Sequence, residues 1–239
     1  MNKFWQFKQV TNAAGTATEN VLILNGYIAQ ESWFADDVTP AVFKSELAAC
    51  NGDITVWINS PGGDCFAASE IYTALKEHNG RITVKIDGIA ASAASVIAMA
   101  GAMVEMSPTA MMMAHNPALL LYGEAAELEQ GIEFLNEVKE SIINAYQLKT
   151  GLSRAKISKL MDAETWFNTR SAIEHGFCDR MMYSEDTEPV LENFSFDKAA
   201  MVTNTVSAMR KKLKTIEKPT LEDGVNISDL ESRLNLIRR

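Results

Sequence analysis

Three short segments of the sequence contain residue types that together could carry out acyl transfer. Ser92 lies in a run of small residues, His115 directly follows the apolar run 111–114, and the consecutive glycines Gly62 and Gly63 follow a serine and a proline. A hydroxyl nucleophile, an imidazole base and backbone N–H groups that bind an oxyanion are the parts such chemistry needs. Each part also has a structural alternative, so the elements that hold these residues matter.

Ser92 falls where a predicted strand has ended near Gly88 and a helix of small residues begins. A hydroxyl in the first turn of a helix lies beside free N–H groups and the positive end of the helix dipole, which favours developing negative charge. A lone serine there is more commonly a helix cap or a small packing residue, and the same holds for Ser95. The segment lacks the G-x-S-x-G pattern, so it does not indicate an α/β-hydrolase.

Histidine occurs at three positions. His78 and His175 each lie at the end of a predicted helix close to a glycine, where an imidazole can bind terminal carbonyl groups, and we expect structural roles for both. His115 lies where an apolar strand emerges into a loop, which is how a general base is commonly presented. Taken alone, it also fits a hydrogen-bonded histidine at a strand end, which is the commoner case.

The double glycine can turn its N–H groups into one concavity, because glycine accepts positive φ, and such a concavity can bind an oxyanion. An ordinary turn is the alternative interpretation. The chain order is strand, Gly62-Gly63 turn, helix, strand and Ser92 turn. This order places both turns at one edge of a parallel sheet, the edge where open α/β folds hold their sites.

The hydrophobic pattern predicts strands that alternate with helices, and therefore an α/β fold with a largely parallel core. The predicted strands are 20–28, 53–59, 81–87, about 103–106, 110–114 and about 177–182. The predicted helices are 40–50, 67–78, one from about residue 92, 124–149, 153–161 and 169–175. The helix 124–149 would be roughly 39 Å long, more than a domain of this size needs, which indicates contact with a partner.

Composition excludes several classes of protein. The 239 residues are 47% hydrophobic with a formal net charge of −9, which fits a globular domain and argues against nucleic acid as a partner. Three cysteines without a CxxC pair fit a reduced compartment, so we expect a cytoplasmic protein. The N-terminus is too polar for a secretory signal, and the uncharged stretch 88–104 is rich in small residues, so we expect no membrane segment. The sequence contains no metal or nucleotide motif, and we expect no cofactor.

Several separated segments, in the same order, resemble the Clp peptidase family of self-compartmentalised serine proteases. They are the glycine turn 58–63, the nucleophile segment 88–94, the histidine segment 113–117, the handle end 146–151 and the final helix and strand 171–179. The resemblance runs from about Val21 to Met182. It is closest to the Clp-like head maturation proteases encoded with capsid genes of tailed phages and prophages, through the stretch 162–167.

This resemblance implies that Ser92 is the nucleophile and His115 its base. The third residue of the family is an aspartate, and its place in this sequence holds Glu164. Glu164 could orient the imidazole with its longer side chain, and Asp162 is the alternative acid.

The resemblance also implies that the N–H groups of Gly63 and Ala93 bind the oxyanion, with Gly62 supporting the turn. The implied fold is a spiral of β-β-α units with a protruding handle helix. The expected organisation is an N-terminal segment 1–19, a protease domain 20–183 with the handle at about 124–149, and a flexible charged tail 184–239. A short helix in that tail is indicated by a capping box at Ser228 and Glu231.

The implied partners are peptide or protein substrates and further copies of the chain, in stacked rings that usually have seven subunits each. In the phage-type relatives the substrate would be capsid or scaffold protein during head maturation. The segment around Phe4 and Trp5 does not resemble the axial loops that dock an AAA+ unfoldase, so we expect independence from such an ATPase.

Three other functions remain open from sequence. A catalytically inert assembly or scaffold protein could retain the same ring fold, since the acid is atypical. A crotonase-type acyl-CoA enzyme shares the spiral architecture and backbone oxyanion holes but would not need Ser92. A Ser-Lys peptidase would want a lysine base and a membrane anchor, and neither is apparent.

Overall fold

A mixed sheet with helices packed on it forms the centre of the fold. The computed structural model describes residues 4–11, 18–29 and 40–184. The strands are β1 Trp5–Thr11, β2 Thr18–Asn25, β3 Ile54–Ser60, β4 Ile82–Ala91, β5 Met103–Met106, β6 Met111–Ala114, β7 Thr165–Asn168 and β8 Arg180–Met181. The helices are α1 Pro40–Ala48, α2 Cys65–Glu77, α3 Ala93–Ala98, α4 Ala125–Thr150, α5 Arg154–Asp162 and α6 Thr169–Glu174.

The strands follow the order β1-β2-β3-β4-β5-β8, and β6 pairs with both β4 and β7. Neighbours from β2 to β8 run parallel, as do β4 and β6, whereas β1 pairs with β2 and β7 pairs with β6 in antiparallel fashion. Strands β3 and β4 are largely buried, as expected for parallel strands that crossover helices cover. The predicted α/β fold with a largely parallel core is confirmed.

Strand β4 changes its neighbour part-way along its length. Its first half, Thr83 to Ile86, pairs with β5, and its last residues, Ile89 to Ala91, pair with β6. The sequence predicted a strand that ends before Gly88, but the pairing with β6 extends it to Ala91. Because β4 and β6 are parallel neighbours, the residues that follow them emerge at the same edge of the sheet.

Two strands of the sheet, β1 and β7, were not predicted from the sequence. Strand β1 lies in the segment 1–19, to which no element was assigned, and its Trp5 is 3% exposed and packs edge-to-face on Phe43. Strand β7 has only four residues and contains a threonine and an asparagine, so its own pattern is too short to be distinctive. Its partner β6 supplies the hydrogen bonds that define it.

Helix α4 has 26 residues and matches the predicted handle closely. Glu124 and Glu127 form a capping box at its start, and Gly151 ends it with a φ of 69°. Only its C-terminal part is buried, at Ile143, Ala145 and Tyr146. The first half of α4 is largely exposed to solvent in the single chain.

The predicted tail 184–239, with its capping box at Ser228 and Glu231, lies outside the described residues except for Ser184. Within the ranges that the structure describes, every helix is too short or too polar to cross a membrane.

Candidate active site

Ser92 occupies the single residue between β4 and α3, in an unusual backbone conformation. Its φ of 55° and ψ of −124° resemble the first central position of a type II′ turn, which usually holds glycine. Its N–H donates to the carbonyl of Met113 at 2.9 Å, which continues the β4–β6 ladder by one residue. Strain of this kind in a non-glycine residue is typical of functional sites.

His115 is the first residue after β6, and its side chain lies beside that of Ser92. The distance from its Nε2 to the Ser92 Oγ is 2.7 Å, a hydrogen bond in which the hydroxyl can donate to a neutral imidazole. The parallel pairing of β4 and β6 accounts for the contact, because it brings the two strand ends together.

The other two histidines lie at helix ends and bind backbone carbonyl groups. His175 binds a carbonyl of its own helix, as predicted, whereas the partner of His78 lies in the loop between α1 and β3. His78 Nε2 is 2.7 Å from the carbonyl oxygen of Gly52, and His175 Nδ1 is 2.9 Å from that of Ser171. Both residues are C-caps, of α2 and α6 respectively.

Glu164 is near His115, since its charge acts on the imidazole, but the described residues show no hydrogen bond between the Glu164 carboxylate and the imidazole. His115 and Glu164 each lie one position beyond the last pair of the β6–β7 ladder, Ala114 with Thr165. Glu164 has a φ of 46°, and its carboxylate accepts a hydrogen bond of 3.3 Å from the Trp166 indole.

Two opposing effects act on the His115 imidazole. Burial lowers its pKa below the ordinary value, and the negative charge of Glu164 raises the pKa in part. Burial is the larger effect, so the imidazole is neutral near pH 7 and can accept a proton.

Asp162, the alternative acid, makes its contacts elsewhere. It is the last residue of α5, and its carboxylate binds Lys139 Nζ at 2.6 Å and Asn116 Nδ2 at 2.9 Å. The hydrogen bond from Lys139 and then that from Asn116 hold its pKa below the usual value. Asp162 therefore joins α4 to the loop after His115 and makes no hydrogen bond to the imidazole among the described residues.

The glycine turn packs directly against the Ser92 turn. Gly62 has a φ of 97°, and a Cβ atom added there would lie 2.6 Å from the carbonyl oxygen of Ala91 and 2.8 Å from the Ser92 Cβ. Ser60 secures the turn, since its hydroxyl accepts from the Gly62 N–H at 3.1 Å and donates to the Gly26 carbonyl at 2.6 Å. Only a glycine fits so close to the backbone on either side of Ser92.

Gly63 is fixed by a bridge to Ile28. The Ile28 N–H donates to the carbonyl of Gly62, and the Asp64 N–H donates to the carbonyl of Ile28, both at 2.9 Å. No described group accepts a hydrogen bond from the N–H of Gly63 or of Ala93. Both residues adjoin the Ser92 turn, since Ala93 follows Ser92 directly and Gly63 follows Gly62, which packs against Ser92.

Sequence reasoning missed several residues that hold these groups, among them Ser60, Ile28 and Met113. The serine before Pro-Gly-Gly had a signal, because serine hydroxyls commonly bond the backbone two residues on. Ile28 and Met113 contribute only backbone atoms, so their residue types give no indication of this role. Ser95 is fully buried, and its hydroxyl donates to the carbonyl of Ser92 at 2.6 Å, so it is not an exposed hydroxyl.

The residues that the structure describes form neither a metal-ion site nor a disulfide bond. Three or more His, Cys, Asp or Glu side chains nowhere gather there as a metal-ion site would require. All three cysteines are free thiols.

Comparison with known proteins gives the family. Residues 8–185 match the sequence profile of the Clp protease family. The chain belongs to that family. It is 31% identical over 143 residues to the ATP-dependent Clp protease proteolytic subunit 1 of Chlamydia muridarum, which covers 58% of this chain and 74% of that protein.

Two further relatives give the same family. Identity to the ATP-dependent Clp protease proteolytic subunit of Porphyromonas gingivalis is 27% over 154 residues, 62% of this chain and 69% of that protein. For the proteolytic subunit 1 of Protochlamydia amoebophila it is 28% over 160 residues, 65% of this chain and 78% of that protein. This Clp protease family member is a serine-type peptidase.

The contact between the two turns generates a first prediction. Gly62→Ala places a methyl group inside the van der Waals distance of the Ser92 turn, so that turn must shift, and a displacement of about 1 Å can cost about 10²-fold in rate. We expect peptidase kcat/KM to fall by about 10²-fold or more.

Gly52→Ala is the matched control. Gly52 also has positive φ, at 81°, but a Cβ atom there meets nothing within 4 Å, and Gly52 makes no contact with the glycine turn. Both variants strain the backbone, and only Gly62→Ala disturbs Ser92. Equal losses of activity in the two variants would show that backbone strain alone is responsible.

Proposed function

We propose that this chain is an endopeptidase in which Ser92 attacks the peptide carbonyl, His115 is the general base and Glu164 is the acid that stabilises the imidazolium. The observation that carries the proposal is the 2.7 Å hydrogen bond between Ser92 Oγ and His115 Nε2, at a serine with strained backbone. A neutral imidazole in this position can take the hydroxyl proton as Oγ attacks.

The reaction balances as two acyl transfers. In the first, Oγ bonds to the carbonyl carbon, its proton moves to His115 Nε2, and the C–N bond breaks as that proton passes to the leaving amine. In the second, the oxygen of a water molecule bonds to the same carbon while His115 takes its proton, and the C–Oγ bond breaks as that proton returns to Ser92 Oγ, which releases the carboxylic acid. The N–H groups of Gly63 and Ala93 bind the oxyanion in both steps, and each such donor contributes about 3 kcal/mol in comparable enzymes.

Glu164 is the better candidate for the acid because its charge acts on His115, whereas Asp162 is already bound to Lys139 and Asn116. The β6–β7 ladder ends at Ala114 and Thr165, the residues next to His115 and Glu164, which supports this choice. A glutamate in place of the family's aspartate reaches one carbon further from this position.

The second prediction concerns the nucleophile. We expect Ser92→Ala to abolish both peptide hydrolysis and labelling by a fluorophosphonate, because the attacking oxygen is gone. Mass mapping should place the adduct of the wild-type protein on Ser92. Ser69→Ala, which removes an exposed hydroxyl from α2, should leave both readouts unchanged.

Other outcomes identify the alternatives. An adduct on another serine would move the nucleophile there. A wild-type protein that assembles but neither reacts with the probe nor cleaves peptides would be an inert assembly protein. Thioester turnover that survives Ser92→Ala would favour a crotonase-type enzyme.

The third prediction separates the two acids by pH dependence. Protonated His115 cannot accept the Ser92 proton, so kcat/KM is lost as pH falls through the pKa of His115, which burial places below about 6.5. Glu164→Gln removes the charge that raises this pKa, so the acid limb of the profile should move to lower pH. The rate plateau should fall by about 10²- to 10⁴-fold, as in other triads.

Asp162→Asn is the control for this measurement. Its charge is compensated by Lys139, so its loss should leave the acid limb in place and reduce the rate far less. If the acid limb of the pH profile moves in Asp162→Asn and stays in place in Glu164→Gln, then Asp162 is the acid.

We propose in addition that copies of the chain assemble into rings through α4. The first half of this helix carries large apolar side chains that are 42–61% exposed in the single chain: Leu128, Ile132 and Phe134. Exposed apolar side chains clustered on a projecting helix are typical of an interface.

The fourth prediction tests this assembly. Ile132→Glu places a charge in the apolar part of α4 and should shift the protein to smaller species in analytical ultracentrifugation. Glu133→Gln changes the neighbouring exposed residue by one charge and should not. Unchanged sedimentation of the Ile132→Glu variant would show that the interface lies elsewhere.

For the natural substrate we propose a capsid or scaffold protein of a tailed phage, on the resemblance of the stretch 162–167 to phage proteases. Short peptides should be cleaved without an ATPase partner. The wild-type protein and Ser92→Ala, each co-expressed with the capsid and scaffold proteins of a tailed phage, test the substrate. A capsid or scaffold fragment should form only with the wild type, and its absence there would contradict this proposal.

A further inference from the structure

The carbonyl group of Ser92 is the end of a buried chain of hydroxyl groups. Ser95 Oγ lies 2.6 Å from the Ser92 carbonyl oxygen and 2.8 Å from the Tyr146 hydroxyl. Ser95 is 0% and Tyr146 1% exposed. Tyr146 belongs to α4, so these hydrogen bonds connect the handle helix to the residue that we propose as nucleophile.

The hydroxyl protons of Ser95 and Tyr146 can be arranged in only one way in this series of hydrogen bonds. A carbonyl oxygen can only accept, so Ser95 must donate its single hydroxyl proton to Ser92. Tyr146 must then donate its own proton to Ser95. Burial raises the pKa of the Tyr146 phenol far above its usual value, so that proton is retained throughout the working range.

The same carbonyl belongs to the peptide that carries the Ala93 N–H. A trans peptide is planar, and its C=O and N–H point in opposite directions. Whatever holds the Ser92 oxygen toward Ser95 therefore directs the Ala93 N–H to the opposite side, where the Ala93 nitrogen is 3.0 Å from the position of a Cβ on Gly62. The glycine turn therefore packs against the peptide that carries this N–H.

We propose that Ser95 and Tyr146 are positioning residues that fix the orientation of the Ser92–Ala93 peptide and so aim the Ala93 N–H at the oxyanion. The inference rests on the proposed function. The N–H groups of Ser95 and Val96 also reach the Ser92 carbonyl, at 2.9 and 3.4 Å, so the hydroxyl chain strengthens an existing anchor.

The experiment compares Ser95→Ala, Tyr146→Phe and the double variant. Complete loss of one oxyanion donor costs about 10²- to 10³-fold in kcat, and a donor that is misaimed should cost less. We expect kcat to fall by about 10- to 100-fold in Ser95→Ala and less in Tyr146→Phe, with KM unchanged. The double variant should be no slower than Ser95→Ala, because Tyr146 acts only through Ser95.

Thr169→Val is the matched control. Thr169 is 1% exposed and donates its hydroxyl to the carbonyl of Ser107 at 2.6 Å, so the variant removes a buried bond of the same kind from another part of the fold. It should destabilise the protein comparably and leave kcat unchanged.

A second readout reports on the oxyanion site itself. The Ki of a peptide boronate, which becomes tetrahedral on the nucleophile, should rise in proportion to the loss of kcat/KM. The Ki of a product peptide should not change, because it makes no oxyanion.

The results distinguish the two proposals. Turnover that is lost in Ser92→Ala but stays within twofold of the Thr169→Val control in Ser95→Ala would overturn the positioning role and leave the nucleophile in place. Additive losses in the double variant would also overturn it, since the two residues would then act separately. Turnover that survives Ser92→Ala would overturn the proposed function and this inference with it.

Discussion

The backbone of Ser92 leaves β4 in a conformation that an L-amino acid adopts only under constraint, and the geometry of the site depends on that constraint. Strain of this kind costs on the order of 1–3 kcal/mol, which surrounding interactions must offset. On one side the carbonyl of Met113 binds the Ser92 N–H, and on the other the buried hydroxyl of Ser95 binds its carbonyl. Gly62 closes the remaining side at van der Waals contact. The change of partner along β4, from β5 to β6, makes the first of these contacts available.

Burial and charge act in opposite directions on His115, and strand pairing controls both. The end of β6 holds the imidazole in a half-buried place, which keeps it neutral near pH 7. Glu164 directly precedes strand β7, and its negative charge limits how far the pKa of His115 falls. A base needs this balance, because a pKa that is too low would make proton transfer from a serine unfavourable.

Helix α4 links the site to the outer part of the molecule. Its buried end contributes Tyr146 to the hydroxyl chain behind Ser92, and Lys139 binds Asp162, which in turn binds the loop after His115 through Asn116. The first half of the helix is exposed in the single chain. Helix α4 is thus connected by hydrogen bonds to the residues that follow both β4 and β6.

The α/β class, the order of the main elements and the bounds of the long helix to within one residue could be predicted from the sequence alone, and so could the importance of the short segments around Gly62, Ser92 and His115. These features are local, since periodicity, glycine runs and charge are written in neighbouring residues. Which of these segments lie next to one another depends on long-range packing and is seen only in the folded structure. Four-residue β7 is defined by its pairing with β6, and this ladder ends beside His115 and Glu164. The strained φ of Ser92 and the contact of Ser95 with Tyr146, 51 residues along the chain, likewise come from long-range packing. Such contacts depend on many distant residues at once, so no single stretch of sequence specifies them.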